Sequence, residues 1–174
     1  MIELKELKTD YVPLMVEAAL ESVSEVNPWM PWCSDDFSEN NARSWILDQI
    51  KSKQAGTAYE FAVFDDSGFY LGGGGINNIN FEHNFANIGY WIRSSKSKNG
   101  YGTATLTALA KWAHENTNLN RLEVVVARDN VASNRVAKKA GFLLESVANS
   151  RLYLHGKYHN ANIYVLTRHI NQTI

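Results

Sequence analysis

Two apolar periods run through this chain. Tyr59, Phe61 and Val63 alternate with polar neighbours as a half-buried strand does, and Ile2, Leu4 and Leu7 suggest a shorter strand at the start. Leu14, Met15, Ala18, Ala19 and Val23 recur at helical spacing, with Thr9 or Asp10 placed to cap the helix and Pro13 tolerated in its first turn. Asn27-Pro28 ends it. Ser38 caps a second helix that carries Ala42, Trp45, Ile46, Gln49 and Ile50 on one face and closes near Gly56. Asp65-Asp66-Ser67-Gly68 reads as a hairpin turn, so Phe69 to Ile79 returns as a strand and Ala86 to Ile92 follows as another. Leu106, Leu109, Ala110 and Ala113 mark a further helix, Arg121 to Ala127 a buried valine-rich strand, and Val131 to Ala140 a short helix stopped by Gly141. Two strands near Leu143–Tyr153 and Asn160–His169, turned at Gly156, complete the order β-α-α-β-β-β-α-β-α-β-β. That order predicts one α/β domain over residues 1–174, with a mixed, mostly antiparallel sheet of about seven strands and helices on both faces.

Composition narrows the classes. An apolar share of 45%, a charged share of 20% and a net charge of −1 describe an ordinary globular chain without the basic excess that binding a nucleic-acid backbone requires. Cys33 is the single cysteine, so no internal disulfide forms; with no His or Lys close in sequence it reads as inert. The N-terminus alternates and lacks a signal-peptide core, and no window approaches the ~20 apolar residues of a membrane span. A cytoplasmic protein away from membranes is the expectation. His155 and His159 are four apart, but Gly156 and a turn lie between them, and there is no His-Glu-x-x-His; no metal is expected. No Gly-x-Ser-x-Gly elbow supports a nucleophilic serine.

The stretch from Ala86 to Phe142 carries the chemistry. Ile88-Gly89-Tyr90-Trp91-Ile92 leads into Lys98-Asn99-Gly100-Tyr101-Gly102-Thr103, then Asp129-Asn130-Val131-Ala132-Ser133-Asn134, then Lys139-Ala140-Gly141-Phe142. A strand that turns through two glycines into a helix N-terminus leaves several N–H groups facing one point, a natural place for phosphate oxygens. A Walker loop needs Gly-Lys-Ser/Thr, which occurs nowhere in the chain. A dinucleotide fingerprint needs a third glycine where Thr105 stands, and an acidic residue closing a strand where Glu123 instead begins one.

These ordered blocks resemble the GNAT acyltransferases, and within them the RimJ/RimL-type N-terminal acetyltransferases of ribosomal proteins. The family signature Gln/Arg-x-x-Gly-x-Gly/Ala reads here Ser97-Lys98-Asn99-Gly100-Tyr101-Gly102 and departs from the general form at its first position. The resemblance implies acetyl-CoA as cosubstrate, its pyrophosphate cradled by the N–H groups of Asn99, Gly100, Tyr101, Gly102 and Thr103 with Lys98 adding charge. Backbone groups of the strand through Trp91, Ile92 and Arg93 would pair with the pantetheine arm; the Arg93 side chain would reach phosphate or stay solvated. Asn130 and Asn134 match cofactor positions of the second block.

Acetyl transfer to an amine needs a route for the amine proton, polarisation of the carbonyl, and a proton or other stabilisation for the departing thiolate. Ala137 stands where many relatives place an acidic tyrosine, which leaves Ser133 as candidate acid; capping its helix is the alternative role. Relatives usually carry a glutamate where Asn87 stands, and an acidic residue is frequent at Asn160. Asn87 could still hold a relaying water; Glu82, His83, His155 and His159 are the other titratable groups in reach. Trp29, Trp32 and Tyr90 are candidates for the acceptor wall, though the Trp29–Trp32 loop could equally fold over its own core. Gly72-Gly73-Gly74-Gly75 implies either a bulge or the close approach of another chain, an acceptor peptide passing over the glycines being the preferred reading. The acceptor implied is a protein N-terminus; a small amine (polyamine, amino acid or aminoglycoside) or a catalytically idle acyl-CoA-binding module are the alternatives, and relatives are often homodimers.

Overall fold

The computed structural model describes residues 1–168, so the His169 end of the last expected strand lies outside the described residues. Seven strands form one sheet in the order β1-β2-β3-β4-β5-β7-β6. They are β1 (Ile2–Glu6), β2 (Tyr59–Asp65), β3 (Tyr70–Asn80), β4 (Phe85–Ile92), β5 (Arg121–Ala127), β6 (Leu143–Leu154) and β7 (Lys157–Thr167). Every neighbouring pair is antiparallel except β4 with β5. The helices are α1 (Val12–Glu21), the single turn α2 (Val23–Val26), α3 (Glu39–Gln54), α4 (Tyr101–Asn116) and α5 (Val131–Lys139). The mixed sheet with helices on both faces is therefore the observed fold.

The alternation of each strand sorts its side chains into two cores. Phe61, Ile76, Ala86, Ile88, Leu122, Val124 and Val126 meet Leu106, Leu109 and Ala113 of α4 on one face. Ala62, Phe64, Tyr70 and Trp91 meet Val12, Met15, Ala19, Ala42 and Ile46 of α1 and α3 on the other. Cys33 is buried in this second core, its thiol 3.2 Å from the Ala19 carbonyl oxygen, and burial pushes that thiol up to about 11.

The first helix departs from expectation at both ends. Thr9–Tyr11 form a 3-10 turn and neither Thr9 nor Asp10 caps α1, whose N-cap is Tyr11. The helix breaks at Ser22 rather than running to Asn27: the Ser22 hydroxyl donates to the Ala18 carbonyl at 2.6 Å and accepts the Ser94 N–H at 2.9 Å. Ser38 does cap α3, in a reciprocal box with Asn41. The four glycines sit in a buried part of β3 with a register shift against β2 between Val63 and Phe64, so the expected bulge is present.

A cluster of charges ties α1 to the end of β4. Arg93 is buried, its Nη2 2.7 Å from Glu17, its Nε 3.1 Å from Glu21, and its guanidinium 4.7 Å over the Phe69 ring. The Arg93 guanidinium holds the Glu21 carboxyl down to about 2, from an ordinary 4.5. A carboxylate whose folded value lies below its unfolded one stabilises the fold above about 4.5 and ceases to as pH falls toward 2. Glu21→Gln should therefore lower stability by about 1 kcal/mol at pH 7, its side chain being 30% exposed, and flatten the acid limb between pH 4.5 and 2 in thermal melts.

Candidate active site

The parallel pairing of β4 with β5 lasts three residues, Phe85–Asn87 against Arg121–Glu123, and then the strands diverge. The Arg93 N–H donates to the Leu71 carbonyl at 2.8 Å, so alternation turns Trp91 and Gly89 toward β3 and turns the backbone groups of Tyr90 and Ile92 into the opening. Of the three residues expected to offer strand-like bonds, Ile92 turns its backbone groups to the opening, as Tyr90 does, whereas Trp91 and Arg93 do not. Arg93 has both backbone groups occupied, the carbonyl accepting the Lys96 N–H at 3.0 Å. Its side chain is neither solvated nor free for phosphate, because Glu17 and Glu21 hold it in the α1 interface.

Beyond β4 the chain reaches α4 through Lys98 and Gly100, both left-handed at φ 63° and 82°. The first helical bond is Ala104 N–H to Gly100 C=O at 3.0 Å, and no side chain caps the helix. The N–H groups of Tyr101, Gly102 and Thr103 thus have no intrahelical acceptor, and Lys98, Asn99 and Gly100 are exposed beside them. Gly102 lies against the Tyr90 ring, where a Cβ would approach Cε2 to 2.8 Å.

The opposite wall is the turn from β5 into α5. Asn130 caps α5, its Oδ1 accepting the Ser133 N–H at 3.0 Å, so capping falls to Asn130 and leaves the Ser133 hydroxyl free of it. That side chain instead lies near the Tyr90 phenol on the other side of the opening. Burial raises the Tyr90 phenol, and the nearby Ser133 hydroxyl partly offsets the rise. Asn134 is spoken for within the protein: Nδ2 donates to the carbonyls of Ala127 and Asn130 at 3.0 and 2.7 Å, while Oδ1 accepts from Asn162 and Tyr164 at 2.6 and 2.9 Å. The expected contact of Asn134 to a cofactor is replaced by this bracing of the β5–α5 turn on β7.

On the face of α1 and α3, a cleft of about 920 Å³ lies over β2, β3 and β4. Trp32, Phe37, Trp45 and Trp91 form its walls, and Glu60, Asn77 and Asn87 lie within it. Asn87 Nδ2 donates to Asn77 Oδ1 at 3.0 Å, and Asn77 Nδ2 donates to Glu60 Oε1 at 3.0 Å. Burial raises the Glu60 carboxyl above its ordinary value, more than the Asn77 bond lowers it. Trp32 reaches this wall and packs edge-on to Trp91 at 5.4 Å; Trp29 is not among the lining residues. Glu123, level with Asn87 in register, is held by Arg121 Nε at 2.7 Å. Asn160 accepts the Ser150 N–H at 2.9 Å, and His155 sits 2.8 Å from the Asn27 carbonyl oxygen. His83 and Glu82 are exposed in the β3–β4 turn.

Glu60 was not legible as a site residue: it is one polar position in an alternating strand, and its partner Asn77 is 17 residues away. The glycine run makes its place. A Cβ on Gly75 would collide with the Glu60 carboxylate and come within 2.5 Å of the Tyr59 carbonyl oxygen, and one on Gly73 would lie 3.1 Å from the Trp91 indole nitrogen. The close approach that the glycines permit is thus made by the protein's own side chains. Among the described residues, no group of three or more His, Cys, Asp or Glu could hold a metal ion, and no helix is long and apolar enough to cross a membrane.

Comparisons with known proteins agree with this geometry. The family profile described as acetyltransferase (GNAT) domain matches residues 2–143. A ribosomal-protein-serine acetyltransferase from Escherichia coli (strain K12) is 25% identical over 163 residues, spanning 94% of this chain and 90% of that protein. The solved structure of RimL, a ribosomal L7/L12 alpha-N-protein acetyltransferase in complex with coenzyme A, superposes with a TM-score of 0.88 at 26% identity, covering 95% of this chain and 93% of that one. The Salmonella typhimurium acetyltransferase that modifies the N-terminal serine of 50S protein L7/L12 gives 0.86 at 26% identity, covering 96% and 95%.

Gly75→Ala should cost roughly 1–3 kcal/mol in urea unfolding by overpacking. Adding Glu60→Ala should recover part of that loss, since the carboxylate clash disappears while the Tyr59 carbonyl stays.

Proposed function

We propose that this chain, which belongs to the GNAT acetyltransferase family and is an acetyl-CoA-dependent N-acetyltransferase, transfers acetyl to the N-terminal amine of a protein of the ribosomal type. The observation that carries the reading is one opening shared by two surfaces: the bare N–H groups ahead of α4 on one side, and the aromatic cleft over Asn87 and Gly89 on the other. The acceptors named for the relatives, L7/L12 and its N-terminal serine, support the choice of amine. The whole chain would act as one such domain in the cytoplasm.

The residues fit coenzyme A. The N–H groups of Tyr101, Gly102 and Thr103, with those of Asn99 and Gly100 and the Lys98 charge, would hold the pyrophosphate at the helix N-terminus. The outward backbone groups of Tyr90 and Ile92 would pair with the amide-bearing arm. Acetyl-CoA supplies an activated thioester carbonyl. The Ser133 hydroxyl, with the Tyr90 phenol near it, would hold a proton beside the leaving sulfur. Asn87, whose Oδ1 is not used by Asn77, would orient the acceptor or a water on the cleft side. Asn130 and Asn134 would act by holding the turn that presents Ser133.

A homodimer is the accompanying proposal, supported by the edge strand β6, where Leu143, Leu144 and Val147 are exposed; sedimentation would test it. For the activity, acetyl-CoA and a panel of N-terminal peptides and small amines, read by mass spectrometry, should give acetylated peptide α-amines. Acetylated small amines alone would overturn the protein acceptor, and binding without turnover would favour an idle module. Coenzyme A at 100 times its Kd should add about 2.7 kcal/mol of stability. Ser133→Ala should lower kcat roughly 10- to 100-fold, with the coenzyme A thermal shift retained.

A further inference from the structure

Glu60 is the one carboxylate on the floor of the acceptor cleft, and its surroundings leave it half used. Oε1 accepts from Asn77, whereas Oε2 has no hydrogen-bond partner among the described residues. The room for it comes from the missing side chain of Gly75, and Trp32, Trp45 and Trp91 wall the same cleft. The other charged residues lining the cleft are Asp36 and Asp48; Lys51, 3.3 Å from Asp48, lies outside it. No lysine, arginine or histidine lines the space, so a cation entering it meets no repulsion and a deep carboxylate with an idle oxygen.

That carboxylate stands apart from the opening where the amine would react. Transfer at the β4–β5 opening would put the amine beside Ser133 and Tyr90, beyond β4, while the Glu60 carboxylate lies over Gly75 of β3 and meets Asn87 only through Asn77. The Asn87–Asn77–Glu60 chain spans that interval, but its amides pass no proton along. A charge held at Glu60 is therefore a different charge from the one on the nucleophile. An extended acceptor rises about 3.3 Å per residue, so a side chain at its second or third position reaches that depth.

We propose that Glu60 is a specificity-determining residue that holds a second positive charge on the acceptor, supplied by a basic side chain at its second or third position. This rests on the protein-acceptor reading above. Burial alone disfavours the ionised carboxyl; an ammonium or guanidinium against Oε2 restores its charge and supplies the missing partner. Selectivity follows because an acceptor with a neutral side chain offers that buried oxygen no charge-assisted bond.

The test uses the full chain, acetyl-CoA and matched hexapeptides that differ only in Lys or Gln at position two or three, with spermidine as a separate arm. The wild-type protein should favour the best Lys peptide over its Gln partner by roughly tenfold in kcat/KM, chiefly through KM. Glu60→Gln should bring the Lys peptide down to the level of its partner and leave the Gln peptide within about twofold. Equal kcat/KM for each Lys and Gln pair with the wild-type protein overturns the inference without any variant, as does a Lys advantage that survives Glu60→Gln. An equal fall for Lys and Gln peptides in Glu60→Gln, whose folding is checked by its thermal melt, also overturns it, since the carboxylate would then serve every acceptor. Acetylation of spermidine but of no peptide, with spermidine lost in Glu60→Gln, would retain the second-charge role and sink the protein acceptor instead.

Discussion

The parting of β4 from β5 is the constraint on which the rest of the structure depends. Three paired residues hold the strands together at one end; beyond Asn87 and Glu123 each strand has one edge without a neighbour in the sheet. Unpaired backbone in a sheet interior costs free energy unless something satisfies it. The protein keeps the gap by bracing both lips rather than closing them. On the β4 side, Arg93 anchors the strand end to α1 through Glu17 and Glu21. On the β5 side, Asn134 joins the strand end, the α5 cap and β7 through its own hydrogen bonds. Tyr90 and Ser133 lie near each other across the gap.

Polar side chains here divide between those that build the opening and those that face it. Arg93 and Asn134 look like binding residues when read by type, yet each is buried and engaged internally. A side chain that has spent its hydrogen-bonding capacity on neighbours gains nothing from a ligand at the same atoms. The groups left over are backbone N–H at α4, backbone groups of Tyr90 and Ile92, the Ser133 hydroxyl, and the oxygens of Asn87 and Glu60. Removing Asn134 would thus act through the position of Ser133 and not through a lost ligand contact.

The elements were largely legible in the sequence because period and punctuation agree there: Ser38 caps, Gly100 turns, Gly141 stops. Their order gave a mixed α/β sheet, and the GNAT family came from the resemblance of the motif blocks between Ala86 and Phe142. What stayed hidden depends on partners distant along the chain. The break at Ser22 needs Ser94, 72 residues on, and the burial of Arg93 needs α1, 72 and 76 residues back. Trp29 and Trp32 look alike in sequence, but only Trp32 lines the cleft. The glycine run offered a bulge or the approach of another chain; the bulge is present, and the protein's own Glu60 and Trp91 fill the room at Gly75 and Gly73. Alternation could say that Glu60 faces one side of a strand; it could not say that Gly75 leaves its carboxylate a seat.

An amide at position 87 also bears on which amine the site can use. Among the described residues, Glu123 is held by Arg121, and Glu60 meets Asn87 only through Asn77. On the proposed function, an acceptor that meets no carboxylate directly would shed its proton to water before attack. For an N-terminal amine with pKa near 8, about a tenth of the molecules are neutral at pH 7, a penalty of roughly 1.4 kcal/mol. For a lysine-like amine near 10.4 the same step costs roughly 4.6 kcal/mol. Holding the amine against the thioester can lower a barrier by about 7–11 kcal/mol, so the smaller penalty is easily absorbed and the larger one consumes much of the gain. A site working without a base would thus filter for weakly basic amines, which supports the proposed chain terminus as nucleophile and would leave stronger bases, such as a neighbouring lysine, to be held as cations at Glu60.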